Sequence, residues 1–448
     1  MNLLRELERS DVKGLGLELH QFAAELYPIC RSITGDGIRR TLGSIQERIP
    51  LQIVAVRSGT KVFDWTVPKE WNIRDAFIKD RDGHRVVDFQ SSNLHVLSYS
   101  QPVHATMALR ELKPHLHTLP EHPDWIPYRT SYYQENWGFC LSHNHLLSLQ
   151  EGEYEVCIDS SLEDGYLVYG ECYLPGLSPE EVLISCHACH PSLANDNLSG
   201  VSIAVFLAKL LSRLDHYYSY RFLLIPGTIG AITWLAQNSE AVARIRHGLV
   251  LACLGDPGGF HYKKSRRGNA EIDRVLAQIL RHKGPSSPIL EFSPYGYDER
   301  QYCSPGFNLP VGCLTRSVWG TFPEYHSSAD NLEFIRPEAL AESLRLCAEA
   351  VDVLENNRTY RSENPYCEPQ LGRRNLYRST GGDGVGEEIS ARLWVLNLSD
   401  GKHSLLDIAE RSGLPFLTIH AAAELLRESG LLSAQPAGFG PVRQSDGS

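Results

Sequence analysis

The 448-residue chain has no apolar run long enough to cross a bilayer. Its first nine residues, Met1-Asn-Leu-Leu-Arg-Glu-Leu-Glu-Arg9, lack the basic start, apolar core and small-residue cleavage site of a signal peptide. Positive charge is not in excess either, because the formal net charge is −11 at pH 7. That balance speaks against a general nucleic-acid binder and against docking on anionic membranes. Eleven cysteines in a chain this long make no disulfide framework. Cys172, Cys186, Cys253 and Cys347 sit in apolar runs, as small buried hydrophobes do. Cys186 and Cys189 form one Cys-x-x-Cys pair, a spacing that also occurs in redox motifs, but no second pair completes a structural zinc site. Together these absences predict a cytoplasmic protein. A hydrophobic content of 42% with 22% charged residues is that of an ordinary globular chain, long enough for two or three domains.

The organising stretch runs from Glu181 to Gly200. Val182–Ser185 is a short apolar run, which predicts a buried strand. It stops at Cys186-His187-Ala-Cys-His190-Pro-Ser-Leu-Ala-Asn195-Asp196-Asn197, and the apolar run Val201–Leu211 that follows reads as a helix. A strand that ends in a polar turn and feeds a helix puts that turn at the carboxyl edge of an open α/β sheet, where ligands bind. Two imidazoles and a carboxylate in one turn suit a small divalent cation, best of all zinc. The competing reading is a set of packed, hydrogen-bonded core residues, and it fits a lone histidine better than this group.

Residues Leu3–Tyr27 and Ile38–Ile49 carry helical spacing. Arg31, Arg39 and Arg40 lie between and within these helices, either as anion contacts or as a solvated face. From Lys61 the composition shifts to Trp, Tyr, His and Pro. Alternation in Asn93–Tyr99, a turn at Asp82-Gly83 and an expected hairpin of Glu153–Asp159 with Tyr166–Tyr173 give a β-rich domain over 61–155, inserted into an α/β domain over 1–60 and 156–360. Further strands are expected at Arg221–Pro226 and Gly248–Leu254. Strands alternating with helices predict a mixed, mostly parallel sheet sandwiched by helices. Asp256 ends its strand much as His187 does, which makes it either a further ligand or a turn residue before Pro257. Lys263-Lys-Ser-Arg266-Arg267 is the one basic cluster, a solvated loop or a grip on an anionic group.

The second informative stretch is Phe322-Pro-Glu324-Tyr325-His326-Ser-Ser-Ala-Asp330-Asn331. Neutral His326 is a potential metal ligand, and Asp330 either orients it from behind or caps a turn. After Asn356 the chain loosens into a Gly- and Pro-containing linker over 361–386. Residues 387–448 then read as a helix-turn-helix unit: Ala391–Leu398, then Ser404–Arg411 with Ser404 as N-cap and Asp407 in the capping box, then Thr418–Glu428. Leu431–Ser433 and Gly438–Gly440 suggest a small wing. The third helix carries a single Arg against two Glu, which predicts a docking or dimerisation module rather than a DNA reader.

The motifs His190-Pro-Ser-Leu-Ala-Asn195-Asp196-Asn197-Leu-Ser-Gly200 and Pro323-Glu-Tyr-His326-Ser-Ser-Ala-Asp330-Asn331, with the sheet order, resemble those of bacterial aminopeptidase-like domain proteins, a group similar to the zinc aminopeptidases. The resemblance spans nearly the whole chain. It implies a zinc aminopeptidase-like core with an inserted β-rich domain and a C-terminal winged helix, work on surface polysaccharides, and metal ligands at His187 or His190, at Asp196 and at His326. It favours His190 of the first two, and Asp256 corresponds to a remaining carboxylate ligand. One departure stands out. The zinc aminopeptidases follow the next strand with Glu-Glu, a general base and a ligand, whereas here the strand ends Ile225-Pro226-Gly227-Thr228. Glu299 or Glu324 would then have to act as base, with Glu299 preferred and an ion pair its structural alternative. The expected protein is a zinc-dependent hydrolase of amide or peptide bonds, acting on a small peptide or an amide-bearing sugar, with no membrane partner and with homo-oligomers admitted. A non-catalytic metal- or ligand-binding protein with a docking winged helix is the rival.

Overall fold

The computed structural model describes residues 3–9, 12–284, 287–376 and 386–435. The chain divides into two compact units, Asn2–Asp273 with Ser286–Ala348 and Arg274–Pro285 with Glu349–Ser448.

The larger unit is built on an eight-stranded sheet. Its strands are β1 (Gln52–Arg57), β2 (Tyr166–Leu174), β3 (Glu181–His187), β4 (Ser219–Ile225), β5 (Ile245–Leu251), β6 (His261–Lys263), β7 (Ile289–Leu290) and β8 (Val311–Thr315), in the spatial order β1-β2-β4-β3-β5-β8-β6-β7. The middle four, β4-β3-β5-β8, run parallel, and β1, β2 and β6 attach antiparallel. Every residue of β3, β4 and β8 is buried, and each strand carries an apolar stretch at its centre, as strands covered on both faces do. The helix Gly200–Leu211 is buried along nearly its whole length and packs on β3, β4 and β5. Glu181, fully buried at the start of β3, is held bidentately by Arg221 of β4 (2.6 and 3.0 Å) and by Arg244 (2.7 Å). The parallel register sets His187, the last residue of β3, beside Ile225, the last of β4.

The inserted region forms a second, antiparallel sheet in the order Arg85–Asp88, Glu70–Lys79, Glu153–Glu163, Val103–Ala108. The turn at Asp82-Gly83 joins its first two members, with Gly83 at φ +85°. The expected hairpin of Glu153–Asp159 with Tyr166–Tyr173 is not formed. Glu153–Glu163 pairs with Glu70–Lys79 and Val103–Ala108, while Tyr166–Leu174 lies between β1 and β4 in the main sheet. The burial patterns give the reason: Glu153–Glu163 alternates in and out, whereas Leu167–Tyr169 are all buried and suit a central strand.

In the smaller unit, helices Glu387–Leu398, Leu405–Ser412 and Phe416–Glu428 accompany a three-stranded sheet in the order Asp400–Ser404, Thr359–Ser362, Leu432–Ala434. The Ser404–Asp407 capping box is complete, and Gly413 ends its helix at φ +73°. Thr359–Ser362, which straddles the start of the expected linker, is the middle strand. Its Tyr360 is buried and its hydroxyl donates to Glu424 at 2.8 Å. Part of the expected linker, 377–385, and the Gly438–Gly440 wing lie outside the described residues.

Candidate metal centre

Past His187 the chain turns sharply, and Asn195-Asp196-Asn197 is pinned on three sides. The Asp330 carboxylate accepts the backbone N–H of Asn195 (2.5 Å) and of Asp196 (2.9 Å). The Asn197 amide donates to the carbonyls of Leu251 (2.9 Å) and His187 (3.2 Å) and accepts from Cys253 N–H (3.2 Å). Asn195 accepts from Gly255 N–H at 2.8 Å. A short polar turn with its amides spent this way has little freedom, and its one remaining carboxylate, Asp196, is fully buried.

Three imidazoles converge on that carboxylate. His187 Nε2 stands 2.7 Å from Asp196 Oδ1, while His326 Nε2 and His190 Nδ1 stand 3.0 and 3.3 Å from Oδ2. The His187, His190 and Asp196 donor atoms all lie within 4.8 Å of one another. Aromatic rings frame the group. Tyr297 stacks on His187 with centroids 5.3 Å apart and Tyr325 on His326 at 4.0 Å, while Tyr128 stands edge-on to both His190 and His326 at 5.1 Å. Arg31, itself buried, donates from Nε to the His190 carbonyl at 2.8 Å. His326 sits at φ +56°, a left-handed conformation that costs a non-glycine residue about 1–2 kcal/mol. The Tyr128 N–H helps to hold it there, donating to the His326 carbonyl at 2.8 Å.

The electrostatics suit a cation. Burial pushes His187 and His326 below the ordinary imidazole value. Burial also opposes charge on His190, but the Asp196 carboxylate outweighs it and raises His190. Asp196 is buried too, yet His190 and His187 hold its carboxyl well below the usual range. Imidazole nitrogens around an ionised carboxylate form the nitrogen and oxygen donor set that zinc takes; His187 and His326 are held toward the neutral form that a metal ligand needs, and His190 would give up its proton on binding.

The structure thus brings His187 and His190 together with Asp196 and His326, so neither histidine displaces the other. Asp330 stands behind the Asp196 turn, bonding backbone rather than His326. Asp256 is not part of the group. Its carboxylate is filled by four donors, the Asn195 amide (2.9 Å), Gly258 N–H (2.8 Å) and the Ser317 hydroxyl and N–H (2.6 and 3.2 Å), which is the turn role. Glu299 is fully buried in an ion pair with Lys263, the structural alternative for that residue. Tyr128 and Tyr297 had no sequence signal, since each lies in an irregular segment and meets the histidines only through the fold. A polar cavity of about 810 Å³ lies nearby. Arg40, Asn72, Arg74, Gln90 and Ser192 are among its lining residues, and the three histidines are not.

Comparison with known proteins agrees with this architecture. The profile of a domain of unknown function, DUF4910, matches residues 20–357, and a winged helix-turn-helix profile matches residues 358–434. A Clostridium acetobutylicum protein is 54% identical over 419 residues, 93% of this chain and 96% of its own, and carries the provisional name polysaccharide biosynthesis protein with aminopeptidase-like domain. A crystal structure from Clostridium acetobutylicum, provisionally described as a peptidase, superposes with a TM-score of 0.92 at 51% identity, covering 96% of this chain and all of the other. A zinc aminopeptidase from Bacillus subtilis shares the fold at a TM-score of 0.54 and 13% identity, over 76% of this chain and 94% of its own.

Proposed function

The chain belongs to the DUF4910 family of aminopeptidase-like proteins with a C-terminal winged helix, and from that membership and the histidine cluster we propose that it is a zinc-dependent hydrolase of amide or peptide bonds. One observation carries the reading: His187 and His190 from one segment, and His326 from 130 positions beyond Asp196, converge on a single buried carboxylate. His187, His190, Asp196 and His326 would hold the metal. When bound, zinc supplies a Lewis acid that polarises the scissile carbonyl and makes water acidic enough to attack at neutral pH. The protein's own part is placement. Asp330 fixes the backbone of Asp196, and Tyr128, Tyr297 and Tyr325 fix the imidazole rings and exclude bulk water from their faces.

The substrate reading is an amide on a small peptide or a modified sugar. The relative's polysaccharide name and the polar cavity beside Ser192 favour the sugar. The winged unit reads as a docking module, since Arg427 on its third helix is paired with Glu424 rather than free for a phosphate.

One feature favours the rival binding-protein reading: β4 runs out into Pro226-Gly227-Thr228 with no carboxylate. Elemental analysis of tag-free protein, wild type beside His190→Ala and His326→Ala, separates the two. The hydrolase reading expects about one zinc per chain, lost in both variants, and turnover of an amide substrate. No zinc after repletion, with the fold intact, overturns it. Zinc without turnover on peptide and acylated-sugar amides favours the binding protein.

A further inference from the structure

Where β4 leaves the sheet, Gly227 is bordered by an acid from another part of the chain. A methyl group built on Gly227 would stand 3.2 Å from His187 Cβ and 3.5 and 3.6 Å from the two carboxyl oxygens of Asp298. Asp298 precedes the short helix Glu299–Tyr302 without capping it by its side chain. It is 2% exposed, and neither of its oxygens has a hydrogen-bond partner among the described residues. A buried carboxyl left without partners costs free energy, so a native fold keeps one where it has work to do. The Asp298 carboxyl and the His187 side chain both border the space over Gly227, which sets Asp298 at the flank of the histidine group, where a group that handles a water's proton should stand.

We propose that Asp298 is the general base of the hydrolase, taking the place of the carboxylate that β4 lacks. This rests on the hydrolase reading above. The attacking water forms its O–C bond to the scissile carbonyl as its proton passes to an Asp298 carboxyl oxygen. The C–N bond then breaks as that proton passes to the leaving nitrogen. Atoms and charge balance without a further reactant. Burial, reinforced by Glu299 and opposed by Arg300 and His190, lifts this carboxyl to about 7. A group there exchanges a proton readily at neutral pH.

The test uses the full chain loaded with zinc, as wild type, Asp298→Asn and Asp298→Glu, with acetohydroxamate as the probe. Zinc content, acetohydroxamate affinity by calorimetry and the melting temperature of the metal-free forms are the readouts. The Asn variant should keep its zinc, melt no lower than wild type when metal-free, and bind acetohydroxamate roughly tenfold or more weakly, because the probe's hydroxyl proton loses its acceptor. The Glu variant should recover part of the affinity. Equal affinity in all three zinc-loaded proteins overturns the assignment and leaves the hydrolase reading standing. So does an Asn variant that melts far below wild type, which would make Asp298 a structural residue. A wild type that takes up no zinc instead sinks the hydrolase reading itself.

Discussion

Replacing Asp298 by Asn should change how stability depends on pH, and the sign follows from the structure. In the unfolded chain this carboxyl ionises near 3.8, while in the fold burial keeps it neutral up to about 7. Between those values folding takes up a proton. The wild-type contribution is therefore complete below the unfolded value and is lost as pH rises through the folded one. Three units at about 1.4 kcal/mol each give a loss of roughly 4 kcal/mol across that window. Glu299, Arg300 and His190 are the charged groups acting on Asp298, and all three remain in the Asn variant. The variant lacks only the ionisation. Urea unfolding of chelator-treated protein at several pH values between about 4 and about 8 measures the difference. The stability of the variant minus that of wild type should grow steadily through the window and level off above it. Parallel profiles would refute the reasoning, because they would mean that Asp298 is solvated or already paired in the fold.

Two further outcomes test the parts of the molecule separately. Asp330→Asn leaves one acceptor for two backbone N–H groups, so the Asp196 turn should loosen and zinc affinity fall by about 10- to 100-fold with stoichiometry unchanged; a competition titration against a zinc indicator measures this, and an unchanged affinity would remove Asp330 from the site's support. Ser404→Ala breaks the capping box of Leu405–Ser412 and should cost about 1 kcal/mol in the smaller unit while leaving zinc content untouched, as thermal unfolding and elemental analysis together would show.

The main sheet was legible because its central strands are buried on both faces. Val182–Ser185, Arg221–Pro226 and Gly248–Leu254 stand out as apolar runs, and the structure places β3, β4 and β5 over them. His187, His190 and Asp196 were legible as a group because one turn holds them. The failures concern information that no local run contains. A strand, a tight turn at Gly165 and a second strand look alike whether the two strands pair or part into different sheets, as Glu153–Glu163 and Tyr166–Leu174 do. Thr359–Ser362 is too short to show a period, and only its pairing with Asp400–Ser404 and Leu432–Ala434 makes it a strand.

The carboxylate beside the histidine group shows the same limit at the scale of single residues. Asp298 and Glu299 are neighbours, and both are buried. The sequence favoured Glu299, which the fold turns toward Lys263, while Asp298 turns toward Gly227 and His187. In a helix's first turn successive side chains point in different directions, so one residue of offset decides which of them meets the site. The Gly227-Thr228 pair reads in the sequence as a lost function. In the fold the Asp298 carboxyl lies against that glycine, beside His187. A Cβ at Gly227 would crowd His187 Cβ at 3.2 Å and touch the Asp298 carboxyl at 3.5 and 3.6 Å. The small residue at the strand end and the unpartnered acid at the helix start are therefore two halves of one arrangement, and a substitution at either should be felt at the other.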